Sequence, residues 1–326
     1  MPAAFDTGFF VRTPAWHRLG TVLKEFPGRR EAMRLAGHLF RVEERESYGR
    51  DRDGFIFRII DEKRLVKVDE ETGEETHMKT LATSFVPVQN ETCWDIIDAL
   101  VNQPRVRYET GGVLMDGALC FVTAWLDEPG FVPGDPSPIW PYVFCNWGHI
   151  GNGGINAGAT SIREVCANTV AMAESQSEAA GRMFRFRHTK NVMDRIEDAK
   201  MVIRGAGQAH SEFMELAEEL AAIKVTKAQR DFFVTQLIPT PGTALISERV
   251  KRNIEAARAQ VESLFTGHTI PEAHAFTGYG LLQAGTEYLD HLRGFRNDYT
   301  YVGRTLLRPE PLKAKLVPLI HEVAKV

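Results

Sequence analysis

Apolar and polar positions change their period once along this chain. Before about residue 190 the apolar residues recur mostly at every second position, the spacing of a half-buried strand. Beyond it they recur three and four apart, the spacing of an amphipathic helix. The runs His38–Glu43, Phe55–Ile60, Leu65–Val68 and Lys79–Val88 read as strands, with an acidic turn, Asp69–Thr76, carrying Gly73. Asn90 is placed to cap a helix from Glu91 to Asn102, whose apolar side is Trp94, Ile97, Leu100 and Val101. Arg105–Met115 and Ala118–Leu126 flank Asp116-Gly117. That dipeptide closes tight hairpins because both residues tolerate positive φ. A proline-rich connection, Pro129–Pro141, leads into a further strand at Pro141–Trp147. Ala159–Arg163 reads as extended, Glu164–Ser177 as helical, and Met183–His188 alternates again.

From Asn191 onward the pattern is helical. Val192, Ile196, Ala199, Ile203, Ala206, His210, Phe213, Ala217 and Leu220 form a heptad-like stripe. One unbroken helix over this stretch is on the order of 45 Å long. Gly205 and Gly207 are the places where it bends or breaks. Further helices are expected at Lys227–Leu237, Leu245–Phe265, Ala275–Leu292 and Pro311–Ala324. The fold class is therefore α+β, with an antiparallel, hairpin-rich sheet in the N-terminal half and a helical C-terminal half. Three stretches follow: an N-terminal arm over residues 1–37, a β-rich core over 38–190 and a helical region over 191–326.

Composition removes several classes of function. No run of about 18 apolar residues exists to cross a membrane, and the N-terminus lacks the charged start and apolar run of a secretory signal. The four cysteines, Cys93, Cys120, Cys145 and Cys166, form no C-x-x-C pair and are too few for a disulfide scaffold. Reduced thiols in a cytoplasm are expected. H-E-x-x-H, G-x-S-x-G and metal-spaced His/Asp clusters are absent, so neither metal nor cofactor is expected. His149 and His291 remain the histidines to consider for catalysis.

Three segments carry candidate chemistry. Gly148–Gly158 follows a strand as a phosphate loop does, yet it lacks the Lys-Ser/Thr of a P-loop, and Asn156 stands where G-x-G-x-x-G needs its last glycine. It reads foremost as a flexible hairpin tip, and in its functional version as a mobile loop near the DNA path or at a subunit contact. Between Arg182 and Lys190 lie Arg182, Arg185, Arg187 and Lys190 with no acid, interleaved with Phe184, Phe186 and His188. In an extended chain Arg185 and Arg187 share one face, and the aromatic rings share the other. Such a strand either neutralises phosphates or is a sheet edge protected by charge. A second basic cluster holds Arg293, Arg296, Arg304, Arg308, Lys313 and Lys315, with Phe295, Tyr299 and Tyr301 available to stack on bases or to pack between helices. The net charge of −4 means that any nucleic-acid contact rests on a local stripe.

Three short elements occur in order along nearly the whole chain. They are Trp16-His17-Arg18-Leu19-Gly20, then Arg163-Glu164-Val165-Cys166-Ala167-Asn168-Thr169, then Tyr279-Gly280-Leu281-Leu282-Gln283-Ala284 with Glu287 to His291. Together they resemble the phage/plasmid-like proteins, a family carried as a domain of unknown function. That resemblance implies a mobile-element origin. The plan of a sheet followed by helices, with basic residues at the joint, is similar to that of phage single-strand annealing proteins. The expected function is therefore single-stranded DNA binding and annealing by a homo-oligomer, with no catalytic residue. Arg163, Arg182, Arg185, Arg187, Lys190, Arg293, Arg296 and Arg304 would hold DNA. The heptad-like helix and the arm would join subunits. The competing expectations are a nucleotide- or nucleic-acid-processing enzyme and a structural or host-interaction protein.

Overall fold

The computed structural model describes residues 5–11, 20–101, 106–126, 128–151, 154–163, 183–242, 246–267, 269–293 and 311–326. These form two compact units. The first gathers residues up to 127 with 142–159 and 182–206; the second gathers 128–141, 160–181 and 207–326. The units are not the consecutive blocks that a break near residue 190 predicts, because long-range strand pairing brings distant segments together.

A seven-stranded sheet dominates the first unit. Its strands are β1 (Phe5–Val11), β2 (Thr21–Leu23), β6 (Val106–Leu114), β7 (Leu119–Leu126), β8 (Ile139–Gly148), β9 (Ile155–Arg163) and β10 (Met183–Phe186). They lie in the order β10-β9-β8-β7-β6-β1-β2. β6 through β8 are consecutive antiparallel neighbours, whereas β1 pairs antiparallel with β6 and parallel with β2. Phe5–Val11, expected in an arm, is thus an interior strand of the sheet, with Phe9 and Phe10 fully buried. Asp116 and Gly117 lie in the turn that closes the β6–β7 hairpin, where Met115, Asp116 and Gly117 all have positive φ (57°, 57° and 91°); Asp-Gly supplies two of these three values.

A second sheet holds β3 (Phe40–Arg50), β4 (Ile56–Asp69) and β5 (Glu75–Ala82), in that order. The two short runs expected at 55–60 and 65–68 are one fourteen-residue strand, β4. Two charged, exposed positions in its middle, Asp61 and Glu62, hide that continuity from an apolar count. Helices α1 (Arg29–Leu35) and α2 (Asn90–Val101) pack against the strands of the larger sheet, and α3 (Val192–Arg204) packs on α2 and β10.

The second unit is helical. It contains α4 (Ala206–Ala222), α5 (Lys227–Leu237), α6 (Glu248–Leu264), α7 (Gly278–Glu287), α8 (Pro311–Ala314) and α9 (Leu316–Val323). A five-residue π-helical turn, Tyr288–Leu292, follows α7. Every residue of α7 from Gly278 to Thr286 is buried. It is the axis around which Phe233, Val261, Leu264, Leu316 and Ile320 pack. The architecture is α+β, as the change of period requires. The heptad-like stripe does not make one long helix: it breaks at Gly205 into α3 and α4. Its residues are consumed inside the chain. Val192, Ala199, Ile203, Ala217 and Leu220 are all completely buried, and His210 hydrogen-bonds with Ser161 (Nδ1 to Oγ, 2.9 Å). A stripe so covered is not a subunit seam.

Candidate functional site

β10 is the edge strand of the large sheet. It pairs with β9 so that Phe184 faces Ala157, Arg185 faces Asn156 and Phe186 faces Ile155. The alternation expected from the residues is realised. Phe186 and His188 turn inward, while Arg185, Arg187 and Lys190 are exposed. The inward rings are pinned. Phe184 meets Phe186 edge-on at 5.3 Å, and the Arg195 guanidinium of α3 lies 4.8 Å from the Phe184 ring centre. Just beyond the strand, His188 stacks on Phe85 at 4.7 Å, donates from Nδ1 to the Val86 carbonyl, and accepts the Val86 N–H on its own carbonyl. The basic face is therefore carried on an anchored backbone.

A polar relay runs inward from that face. Arg185 Nε donates to Asn156 Oδ1 (2.7 Å), and Asn156 Nδ2 donates to Asn146 Oδ1 (2.6 Å). The chain crosses β10, β9 and β8. Both asparagines are buried, at 3% and 1% exposure. A buried amide without partners costs about 1–3 kcal/mol, so this relay fixes the rotamer of Arg185. Neither asparagine was among the candidate residues. The available signal was Asn146 itself, a polar residue inside the apolar run Pro141–Trp147.

Beneath the glycine-rich segment lies a sealed cluster of imidazole and indole rings. β9 takes up Ile155–Gly158, so the non-strand part of that segment is shorter than expected. Trp94 Nε1 donates to His38 Nδ1 (3.0 Å), and His38 Nε2 donates to the Gly112 carbonyl (2.9 Å). This pattern assigns His38 as the neutral Nε2–H tautomer. Burial holds its pKa down to about 4. Asn90 is the centre of the cluster. Its Nδ2 donates to the carbonyls of His38 (2.9 Å) and Phe40 (3.1 Å), and its Oδ1 accepts from Trp147 Nε1 (2.9 Å) and His149 Nε2 (2.8 Å). The side chain expected to cap α2 instead ties that helix to β3 and β8. Gln89 beside it bonds both the N–H and the C=O of Val42, as a neighbouring strand would.

His149, the histidine singled out from the sequence, is fully buried, and burial drives its pKa down to about 3. It is a neutral hydrogen-bond donor in a core and stands out of reach of a substrate. Burial also lowers the pKa of His188. It raises the thiol pKa of Cys93 and Cys120 well above the ordinary range, so these cysteines are unreactive thiols. Among the described residues, no group of three or more His, Cys, Asp or Glu side chains stands where it can hold a metal ion. Nor is any helix among them long and apolar enough to cross a membrane.

The other expected site residues fall elsewhere. Arg163 ends β9, but its side chain lies outside the described residues, as do Arg182, Arg296, Arg304, the element from Glu164 to Thr169 and the side chain of His291. Of the second basic cluster, three members are among the described residues. Arg293 is half-buried, Lys313 is buried, and Lys315 alone of the described members is exposed. The Tyr279-Gly280 segment is structural. Tyr279 Oη donates to the buried Asp135 (3.0 Å), and Thr277 Oγ1 accepts the Gly280 N–H to cap α7 (3.1 Å).

No curated protein and no solved structure matches the chain. A family model does match, over residues 77–307, which takes in β6 to β10 and helices α2 to α7. The chain belongs to the family described as Domain of unknown function (DUF932).

Proposed function

We propose that this protein binds single-stranded DNA along the outer face of β10 and promotes the pairing of complementary strands. The observation that carries this reading is the group of exposed cations Arg185, on the edge strand β10, and Arg187 and Lys190, just beyond its end, beside aromatic residues that are turned inward and held. Alternate residues of an extended chain stand about 6.6 Å apart, so Arg185 and Arg187 bring two exposed cations close together where β10 ends. Guanidinium groups grip phosphate oxygens in paired hydrogen bonds. Contacts to phosphate alone leave base edges free for a second strand. Annealing then draws its free energy from base pairing and asks nothing of a catalytic group.

Fluorescence anisotropy with a labelled single-stranded oligonucleotide at low salt tests the binding. The wild-type chain is expected to bind, and the double variant Arg185→Glu/Arg187→Glu is expected to lose most of the affinity while keeping a folded circular dichroism spectrum, with a loss of stability of about 1–3 kcal/mol because Asn156 loses its Arg185 partner. Equal binding by both proteins would refute the placement; no binding by the wild type would refute the function. Mixing complementary oligonucleotides that carry a donor and an acceptor dye then reports whether the protein accelerates pairing.

A further inference from the structure

Helix α6 packs through one side and leaves the other open. Val261 and Leu264 are buried, Ile254 and Ala257 are half-buried, and Arg258 is tied down where its guanidinium donates to the Ile238 carbonyl (2.8 Å). On the open side Arg249, Arg252, Asn253, Ala256, Gln260 and Ser263 are exposed. They fall three and four residues apart, so one face carries them. No acid stands among them. Glu248, Glu255 and Glu262 recur at every seventh residue and form a row on the flank of that face. Lys251 holds Glu248 (2.8 Å), and Arg230 of α5 holds Glu262 (3.4 Å).

The outward arginines, Arg249 and Arg252, form no ion pair with any described residue. Both lie near the start of α6, where the helix dipole adds positive charge, and Ser247 Oγ caps that end by accepting the Val250 N–H (3.4 Å). The face therefore attracts an anion. Its other side chains select the kind of anion. They include no aromatic ring, and the bases of a single strand are held by stacking on such rings. Arg, Asn, Gln and Ser are instead the side chains that meet base edges in a groove, and Ala256 lets the helix approach closely. A helix about 10–12 Å across fits a major groove about 12 Å wide. From Glu248 to Gln260 the open face runs for about 20 Å.

We infer that the open face of α6 is a second nucleic-acid site, one that enters the major groove of double-stranded DNA. Arg249 and Arg252 supply the cations that hold the duplex, and the amides of Asn253 and Gln260 meet base edges. The site is separate from the cations at β10. α6 belongs to the second compact unit and β10 to the first, and the two share no residue. The ligands differ as well: the cations at β10 take a single strand by its phosphates, and α6 takes the paired product. This inference stands independently of single-strand binding at β10.

Fluorescence anisotropy of the full chain with a labelled DNA duplex of mixed sequence, about two helical turns long, is the test at low salt. The wild type is expected to bind. Arg249→Glu/Arg252→Glu is expected to weaken that binding at least about tenfold with an unchanged circular dichroism spectrum, since both side chains are exposed. That variant is expected to keep its affinity for a single strand, and Arg185→Glu/Arg187→Glu to keep its affinity for the duplex. A wild type that does not bind duplex overturns the inference, as does a duplex affinity that Arg249→Glu/Arg252→Glu leaves intact or that only the β10 variant removes. A chain that binds duplex through α6 and no single strand supports this site and refutes the β10 reading alone.

Discussion

Asn90 shows how one side chain can hold a unit together. Its amide satisfies two backbone carbonyls and takes hydrogen bonds from an indole and an imidazole, all of them buried. Truncation strands several of those groups, each at a cost of about 1–3 kcal/mol. Asn90→Ala is therefore expected to destabilise by at least about 3 kcal/mol in urea denaturation. A loss below about 1 kcal/mol would show that the cluster is not cooperative. The neighbouring histidines add a pH dependence. His38 and His149 are kept neutral in the folded chain, with pKa values of about 4 and about 3. In the unfolded chain an imidazole titrates near 6.5. The unfolded state thus binds more protons as pH falls from about 6.5 towards about 4, and the stability present above that window is lost through it. Urea midpoints measured from pH 7.5 to pH 4.5 are expected to fall. A flat profile above pH 5 would contradict the burial of these two rings.

At the scale of elements, α7 is the most constrained segment of the second unit. A Cβ built on Gly280 falls 1.9 Å from the His274 carbonyl oxygen, and that atom belongs to backbone. Gly280→Ala is expected to cost more than about 3 kcal/mol or to abolish soluble expression; a variant with wild-type thermal unfolding would show that the helix can shift. Much of this level was legible in the residues. Asp116-Gly117 located a hairpin, Lys227–Leu237 was found with its observed bounds, and the alternation around Arg185 and Arg187 placed their exposed face. What was not legible has a common cause. Period counts report which positions are buried, but not against what. The stripe from Val192 to Leu220 has coiled-coil spacing, yet its partners lie in the same chain, and Gly205 lets it turn. Likewise Asn90 carries a good capping residue's chemistry, but β3 and β8, distant in sequence, claim it first. The Asn146–Asn156–Arg185 relay depends on strand order, which no local pattern encodes.

At the scale of the whole molecule, a net charge of −4 has to coexist with a cationic edge. Such a field is short-ranged, because salt screens it within about 8 Å at physiological ionic strength. The proposed DNA contact through Arg185, Arg187 and Lys190 is therefore expected to be local and strongly salt-dependent. Three phosphate contacts on a single strand release counterions with a slope of about −2 in log affinity against log salt. The most direct test is that slope, measured by anisotropy with single-stranded DNA for the wild type and for Arg185→Glu/Arg187→Glu. The account predicts a slope near −2 for the wild type, with binding lost in the variant. Binding that is absent at low salt, or a slope that is the same in both proteins, would contradict it.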